Sequence, residues 1–306
     1  MFNKLKNSNV FTSIILPLIP MLLWGSLFPF IKIGYSTCNI DTSSIADILM
    51  FASVRFTFCG LIVCGGAFIK KEKLQSPEYK NILNIALMGV FAIVLHYSFT
   101  YVGLSLTDSS KTAILKQLGA LLYVCFAFIF IKEERFSIYK IIGALVGFYG
   151  IIAINASSGG IKMTSGDVLI ILASVCTVVA NIMSKQFVEG NSPLWVTGVS
   201  QFTGGVILFV ISVIMGGQFP IFSIKGLLTF AYICTASIIG YTVWYYVQKS
   251  ADLSHLFMIK FAEPLFACVF GAILLGENIF KVQYLGAFVL ISAGIILGNK
   301  GVKNES

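Results

Sequence analysis

The sequence predicts an all-α integral membrane protein with ten transmembrane helices, arranged as an inverted repeat of two five-helix halves. Three observations indicate this fold: long apolar segments joined by short loops, a scarcity of charged residues, and a match between the two halves of the chain. Of the 306 residues, 57% are hydrophobic and 11% are charged, and the mean hydropathy is +0.91. A soluble domain carries about 25% charged residues. Lipid must therefore be the main solvent of this chain.

The apolar segments come in lengths that suit a bilayer, whose core of about 30 Å requires about 20 residues per helix. The first segment follows Lys4 and Lys6 but is longer than a signal-peptide core and lacks a small-residue cleavage site. We therefore expect an uncleaved first helix. The ten predicted spans are 11–33, 46–69, 81–102, 112–131, 137–156, 167–188, 193–215, 225–247, 254–276 and 281–299.

Lysine and arginine residues concentrate in alternate loops, which predicts the orientation of the chain. With the N-terminus inside, thirteen of them are cytoplasmic: Lys4, Lys6, Lys70, Lys71, Lys73, Lys80, Lys132, Arg135, Lys140, Lys185, Lys249, Lys300 and Lys303. The external loops then hold Lys162, Lys225 and Lys281. This asymmetry predicts a multi-pass protein of the cytoplasmic (plasma) membrane with both termini in the cytoplasm. The net charge of +8 is thus a topology signal, and nucleic-acid binding is not expected.

The two halves, 1–156 and 157–306, match each other at a shift of 144 residues. The shift aligns Tyr97 with Tyr241, Tyr101 with Tyr245, Asp108 with Asp252, Ser110 with Ser254, Lys116 with Lys260 and Glu133 with Glu277. With slightly different offsets, Arg55-Phe56-Thr57 matches Gln201-Phe202-Thr203, and Lys32 matches Lys185. Five helices per half is an odd number, so the second half must insert upside down. Inverted repeats are typical of transporters whose binding site lies near the midplane between the halves.

Two lysines lie deeper in predicted spans, about five residues into the fourth and about seven into the ninth; a lysine at the centre of a span costs roughly 2.5–3.5 kcal/mol to insert. Lys116 and Lys260 enter the membrane from opposite faces. We expect them to flank a central cavity and to attract a carboxylate or phosphate. The alternative is that each reaches an interface or pairs internally.

Glu263 follows Lys260 by three residues, a spacing that places both side chains on one helical face. Two interpretations stay open. The pair is a neutralised ion pair that leaves Lys116 as the net charge, or Glu263 binds a proton during the cycle and couples transport to a proton gradient.

Polar and aromatic side chains supply the other candidate binding residues. Tyr97 and Tyr101 share a face of the third span, and Tyr241 and Tyr245 share a face of the eighth, so two such faces would wall a pocket. Ordinary packing or an interfacial belt is the competing interpretation. The remaining candidates are His96 as a hydrogen-bonding group, Asn181 as a substrate contact or as a hydrogen-bonding link to a neighbouring helix, Gln117 beside Lys116, and Trp24 facing the cavity.

Several motifs of the chain are shared with a known family: Leu23-Trp24-Gly25-Ser26 through Lys32, Arg55-Phe56, Glu263-Pro264, and an apolar helix ending in glutamate in each half, at Glu133 and Glu277. In these motifs the chain resembles the drug/metabolite transporter (DMT) superfamily, specifically its EamA-type members. The resemblance implies a ten-helix fold whose cavity is lined by helices 1, 3, 4, 6, 8 and 9. The fourth span departs from it, because Lys116-Gln117-Leu118-Gly119-Ala120 lacks a counterpart of Pro264. Arg55 is expected to be mainly structural.

Glycines recur in the fifth span (Gly143, Gly147, Gly150) and in the tenth (Gly286, Gly294, Gly298). Small residues at this spacing allow close helix contact. They indicate either tight packing within one subunit or a homodimer through helices 5 and 10.

Taken together, these features predict a secondary transporter for a small metabolite, with an amino acid or similar zwitterion moved outward as the favoured cargo. The alternative is exchange of organic anions or phosphorylated metabolites through Lys116 and Lys260. A membrane-embedded enzyme would require a catalytic constellation, and the sequence contains no HExxH, GxSxG or P-loop motif. We expect no catalytic group, cofactor or metal ion. The expected partners are the substrate and the bilayer, with a coupling proton only under the interpretation in which Glu263 binds one.

Overall fold

The computed structural model describes residues 14–75, 78–107, 112, 115–130, 136–155, 164–251 and 253–276, together with positions 286, 289, 290, 293, 294, 296 and 297. Throughout this part of the chain the regular structure is helical, and no strand occurs. The helices are α1 (Leu16–Thr37), α2 (Ile45–Ile69), α3 (Glu78–Gly89), α4 (His96–Leu106), α5 (Gln117–Phe130), α6 (Ile138–Asn155), α7 (Ser165–Gly190), α8 (Pro193–Ile214), α9 (Ile224–Gln248), α10 (Leu253–Lys260) and α11 (Glu263–Leu275).

Within the described residues, seven helices are long and apolar enough to cross a membrane. They correspond to the first three predicted spans and to the sixth through ninth, with α3–α4 and α10–α11 each counted as one crossing. The fourth and fifth predicted spans appear as α5, with 14 residues, and α6, with 18. The tenth lies mostly outside the described residues, so the number ten stays a prediction.

Short polar side chains begin several of these helices by accepting hydrogen bonds from backbone N–H groups that would otherwise lack partners. Ser44 Oγ accepts from Asp47 N at 3.2 Å before α2. Thr164 and Asp167 form a capping box at the start of α7. Ser192 and Ser223 cap α8 and α9 in the same manner.

Helices α2 and α8 make the closest contact in the described structure. A Cβ atom added at Gly60 would lie 2.2 Å from Phe202 N, and one added at Gly205 would lie 2.3 Å from Thr57 N. Only glycine permits this approach, which packs the second span directly against the seventh.

The third span contains one wide turn. Residues Val90–Leu95, between α3 and α4, form a π-helical segment. A π turn holds one residue more than an α turn, so it changes the face on which the following side chains lie. As a result, Gly89 contacts Ser200 of α8, whereas His96 and Tyr97 contact a different set of helices.

The ninth span is interrupted where the sequence predicts a continuous helix. Helix α10 ends at Lys260 and α11 begins at Glu263, with two turn residues between them. Pro264 supplies the cause, because its ring removes a backbone donor and clashes with the carbonyl four residues earlier. Lys260 and Glu263 therefore belong to two different helices.

Gly294 of the tenth span packs against Gly143 and Gly147 of the fifth within the subunit, whereas a Cβ atom at Gly286 would meet nothing within 4 Å. A Cβ atom at Gly294 would lie 2.5 Å from Gly143 O and 2.7 Å from Gly147 N. This contact favours tight packing within one subunit as the reason for these small residues.

Candidate binding cavity

A small cavity, part of it open to the outside, lies between the two halves of the chain. It is enclosed by α1, by the third span, by α7, α9 and α10, and by the residue just before α5. These are the spans that the sequence resemblance associates with a central cavity. Its lining consists of Trp24, Leu27, Phe28, Ile31, Ala92, His96, Tyr97, Thr100, Lys116, Thr177, Ala180, Asn181, Tyr241, Trp244, Tyr245 and Lys260.

Eight of the eleven candidate residues line this cavity: Trp24, His96, Tyr97, Lys116, Asn181, Tyr241, Tyr245 and Lys260. The other three lie behind its wall. Glu263 contacts Lys116, Tyr101 contacts Arg55, and Gln117 is buried with both amide atoms lacking a hydrogen-bond partner in the described structure.

The ammonium group of Lys260 is surrounded by aromatic rings. Its Nζ lies 5.4 Å from the ring centre of Trp24, 5.5 Å from that of Trp244 and 5.6 Å from that of Phe257. No carboxylate of the described chain lies within ion-pair distance of it. The negative faces of the rings stabilise the cation.

Lys116 has a different environment. Its Nζ lies 3.7 Å from Glu263 Oε1 and 5.1 Å from the ring centre of Phe28. The prediction that Glu263 pairs with Lys260, leaving Lys116 as the net charge, is wrong. Glu263 thus has its ion pair with Lys116, while it attracts the charge of Lys260 from beyond ion-pair distance.

The tyrosines divide between the cavity and a buried network behind it. Tyr241 Oη donates to Tyr97 Oη at 2.9 Å, so the two residues aligned by the repeat are in direct contact across the halves. Tyr101 instead accepts a hydrogen bond from Arg55 Nη1. Arg55 also donates to Ser237 Oγ, from Nε at 2.8 Å and from Nη2 at 2.5 Å. Arg55 thus has the structural surroundings expected of it.

His96 is oriented by α7. Its Nδ1 lies 2.9 Å from Ala173 O and 2.7 Å from Thr177 Oγ1. Because a carbonyl oxygen only accepts, Nδ1 must carry the proton. In the neutral ring Nε2 is then an acceptor, and the ring edge lines the cavity.

Asn181 acts largely as a link between helices. Its Oδ1 accepts from Trp244 Nε1 at 2.6 Å and from Gln248 Nε2 at 2.7 Å, and its Nδ2 donates to Thr177 O at 2.7 Å. It therefore fixes the Trp244 ring beside Lys260.

Several lining residues were not among the sequence candidates: Phe28, Thr100, Thr177 and Trp244. Helical spacing would have found them. Phe28 follows Trp24 by four residues, Thr100 follows His96 by four, Thr177 precedes Asn181 by four, and Trp244 follows Tyr241 by three. No group of three or more His, Cys, Asp or Glu side chains able to hold a metal ion occurs in the part of the chain searched.

The packed apolar spans and the polar cavity between them define a multi-pass membrane transporter. The sequence profile of the EamA-like transporter family matches residues 11–156 and again residues 164–299, so the chain belongs to this family.

Curated relatives share this character. An uncharacterized transporter of Archaeoglobus fulgidus is 24% identical over 288 residues, which cover 91% of this chain and 94% of the relative. The uncharacterized inner membrane transporter YedA of Escherichia coli strain K12 is 23% identical over 280 residues, with 90% and 87% covered. A solved crystal structure that is 18% identical superposes with a TM-score of 0.75 and covers 98% of this chain and 100% of its own, a likeness of fold. The transporter names of the relatives point to a protein that is not an enzyme.

Proposed function

We propose that this protein is a secondary transporter that moves a small carboxylate-bearing metabolite across the cytoplasmic membrane by alternating access. An amino acid or a similar zwitterion is the favoured cargo, and export is the expected direction. The observation that supports this proposal is the ammonium group of Lys260, which lines the cavity with three aromatic rings around it and no described carboxylate within ion-pair distance.

The cavity contains complementary groups for a zwitterion. A carboxylate would be attracted by Lys260, while the unprotonated Nε2 of His96 and the hydroxyl groups of Tyr97 and Tyr241 offer hydrogen bonds. The rings of Trp24 and Trp244 would contact an apolar side chain. With Glu263 ionised, the charges of Lys116 and Glu263 cancel and Lys260 leaves the site with one net positive charge.

Alternating access requires two related halves that exchange roles, and several contacts support this arrangement. Lys32 Nζ donates to Thr107 O at 3.3 Å just after α4, and Lys185 Nζ donates to Ala251 O at 3.1 Å just after α9. These lysines are aligned by the sequence repeat, and each binds a carbonyl group beyond the C-terminal end of a corresponding helix.

The helix packing agrees with the sequence repeat. Helix α1 of the first span packs against α9 of the eighth, and α7 of the sixth span packs against α4 of the third. The second pair is the first pair with the two halves interchanged. The family profile also matches the two halves separately. These observations support an inverted repeat of residues 1–156 and 157–306. The excess of lysine and arginine in alternate loops supports cytoplasmic termini.

A second candidate is exchange of organic anions or phosphorylated metabolites. The observation in its favour is that Lys116 and Lys260 line one cavity. The two candidates differ in the charge of the cargo, which an experiment can vary.

Counterflow in proteoliposomes tests the proposal. Vesicles containing the purified full chain are loaded with one unlabelled compound, and entry of its labelled form is measured for a panel of amino acids, organic acids and phosphorylated metabolites. We expect transport of an amino acid and a loss of roughly tenfold or more in kcat/KM for Lys260→Gln, the size expected when a charge contact is removed. The exposed Lys249 provides the control, Lys249→Gln. Normal transport by Lys260→Gln would contradict the assignment of this lysine.

A further inference from the structure

The ion pair between Lys116 and Glu263 joins the two halves of the chain. Lys116 precedes α5 in the first half, and Glu263 begins α11 in the second half. The Glu263 side chain is 1% exposed and that of Lys116 is 14% exposed. Lys116 lines the cavity, whereas Glu263 lies behind it, so a change in this pair alters the charge that a bound molecule meets.

The Glu263 carboxylate is poorly compensated for a buried charge. Neither Oε1 nor Oε2 accepts a hydrogen bond from the described residues. Lys116 Nζ lies 3.7 Å away, which is an ion-pair distance but too long for a hydrogen bond. Buried ion pairs offset their desolvation cost only when further hydrogen bonds satisfy the remaining lone pairs. A proton can therefore bind here without breaking any hydrogen bond.

Few other titratable groups of the described chain surround this carboxyl. Lys260, at the other side of the helix break, attracts the Glu263 charge without forming an ion pair with it, and its ammonium group lies over the rings of Trp24, Trp244 and Phe257. His96 lies across the cavity on α4, its Nδ1 held by Ala173. Helix α1, which packs against α11, contributes Gly25 and Phe28 and no charged side chain to the contact.

We infer that Glu263 is a proton-binding site whose protonation releases the Lys116 ammonium group to the cavity, so that the protonation state selects the charge of the cargo. The inference rests on the proposed transport function and deepens it. The step is balanced: the carboxylate takes up one proton and becomes a neutral carboxyl group, while Lys116 keeps its own proton. The net charge of Lys116, Lys260 and Glu263 then rises from one positive charge to two.

The consequence concerns two classes of cargo. The ionised form of Glu263 suits zwitterions and monoanions, and the protonated form suits dianions such as dicarboxylates and phosphate esters. A dianion would travel with one proton more than a monoanion, so that the loaded cavity has the same charge in both cases.

Two probes of fixed charge separate these states. The sulfonates 2-aminoethanesulfonate, a zwitterion, and 1,2-ethanedisulfonate, a dianion, keep their charges in both mildly acidic and neutral buffer. Binding is followed by tryptophan fluorescence of the purified full chain, because two of its three tryptophans line the cavity. Acidification should raise the affinity for the dianion relative to the zwitterion on the order of tenfold, as expected for one additional unit charge in a partly wet site.

Two variants test the assignment to this pair. Glu263→Gln should prefer the dianion in both buffers, and Lys116→Gln should prefer it in neither. Glu189→Gln, at an exposed position of α7, should behave like the unmodified protein. A pH response that persists in Glu263→Gln, or that is missing from the unmodified protein, would overturn the inference.

Infrared difference spectra provide a measurement that needs no cargo. Acidification should produce a protonated-carboxyl band that Glu263→Gln lacks and Glu189→Gln retains. An identical band in Glu263→Gln overturns the inference while leaving the proposed transport function in place. Failure of both sulfonates to bind the folded protein in either buffer contradicts the proposed anion-attracting cavity, even if the band is present.

Discussion

Lys116 and Lys260 occupy corresponding positions in the two halves, yet their surroundings differ. Lys260 is enclosed by the faces of three rings, whereas Lys116 contacts one ring and a carboxylate. At the shift of 144 residues, Trp244 corresponds to Thr100 and Glu263 corresponds to Gly119. The same residue at two repeated positions thus has two different environments. Lys260 has ring faces around it and no described carboxylate within ion-pair distance, whereas Lys116 forms an ion pair.

Removal of Lys116 should have the largest effect, because it leaves the Glu263 carboxylate without its partner. We expect Lys116→Met to lower the free energy of unfolding by about 3 kcal/mol, measured by denaturant titration in lipid–detergent micelles in neutral buffer. The double variant Lys116→Met/Glu263→Leu should recover most of that loss. Equal stabilities of the single and double variants would mean that the ion pair is unimportant for folding.

A smaller effect is expected at the aromatic wall around Lys260. A Cβ atom at Gly240 would lie 2.6 Å from Trp24 Nε1, so Gly240→Ala should displace this ring at a cost of about 1–2 kcal/mol. The matched control is Gly65→Ala, since a Cβ atom there would meet nothing within 4 Å. Thermal unfolding of both variants checks the comparison, and equal melting temperatures would contradict the close contact.

The smallest change in stability should follow from loss of Lys260 itself. Its stabilisation comes from ring faces, so Lys260→Met should change the free energy of unfolding by about 1 kcal/mol or less. The same denaturant titration measures it, with Lys116→Met as the reference. If the two substitutions cost the same, the two lysines are equivalent in spite of their different neighbours.

The apolar spans could be predicted from the sequence because the bilayer imposes a length and a composition that no local interaction overrides. Their ends were harder to predict. The first span was predicted to end at residue 33, but α1 continues to Thr37. The hydroxyl groups of Ser36 and Thr37 both donate to Ile33 O, so these polar residues are satisfied within the helix.

The contacts between side chains were predicted less well than their presence. Both lysines line the cavity, yet the ion pair of Glu263 is with Lys116 on another element, a contact that the spacing of Lys260 and Glu263 does not reveal. Trp244 is not among the sequence candidates because its counterpart in the repeat is Thr100, and its position depends on a hydrogen bond to Asn181 on another helix. Such contacts depend on how helices pack, and residue spacing within one helix does not specify them.

The π-helical segment Val90–Leu95 has a consequence for cargo range. Deletion of one residue within it would restore ordinary α-helical spacing and rotate the preceding and following parts of the span by about 100° relative to each other. His96 and Tyr97 would then leave the cavity while the span remained long enough to cross the bilayer. Deletion of a single residue would thereby change which side chains line the cavity, although no lining residue is substituted.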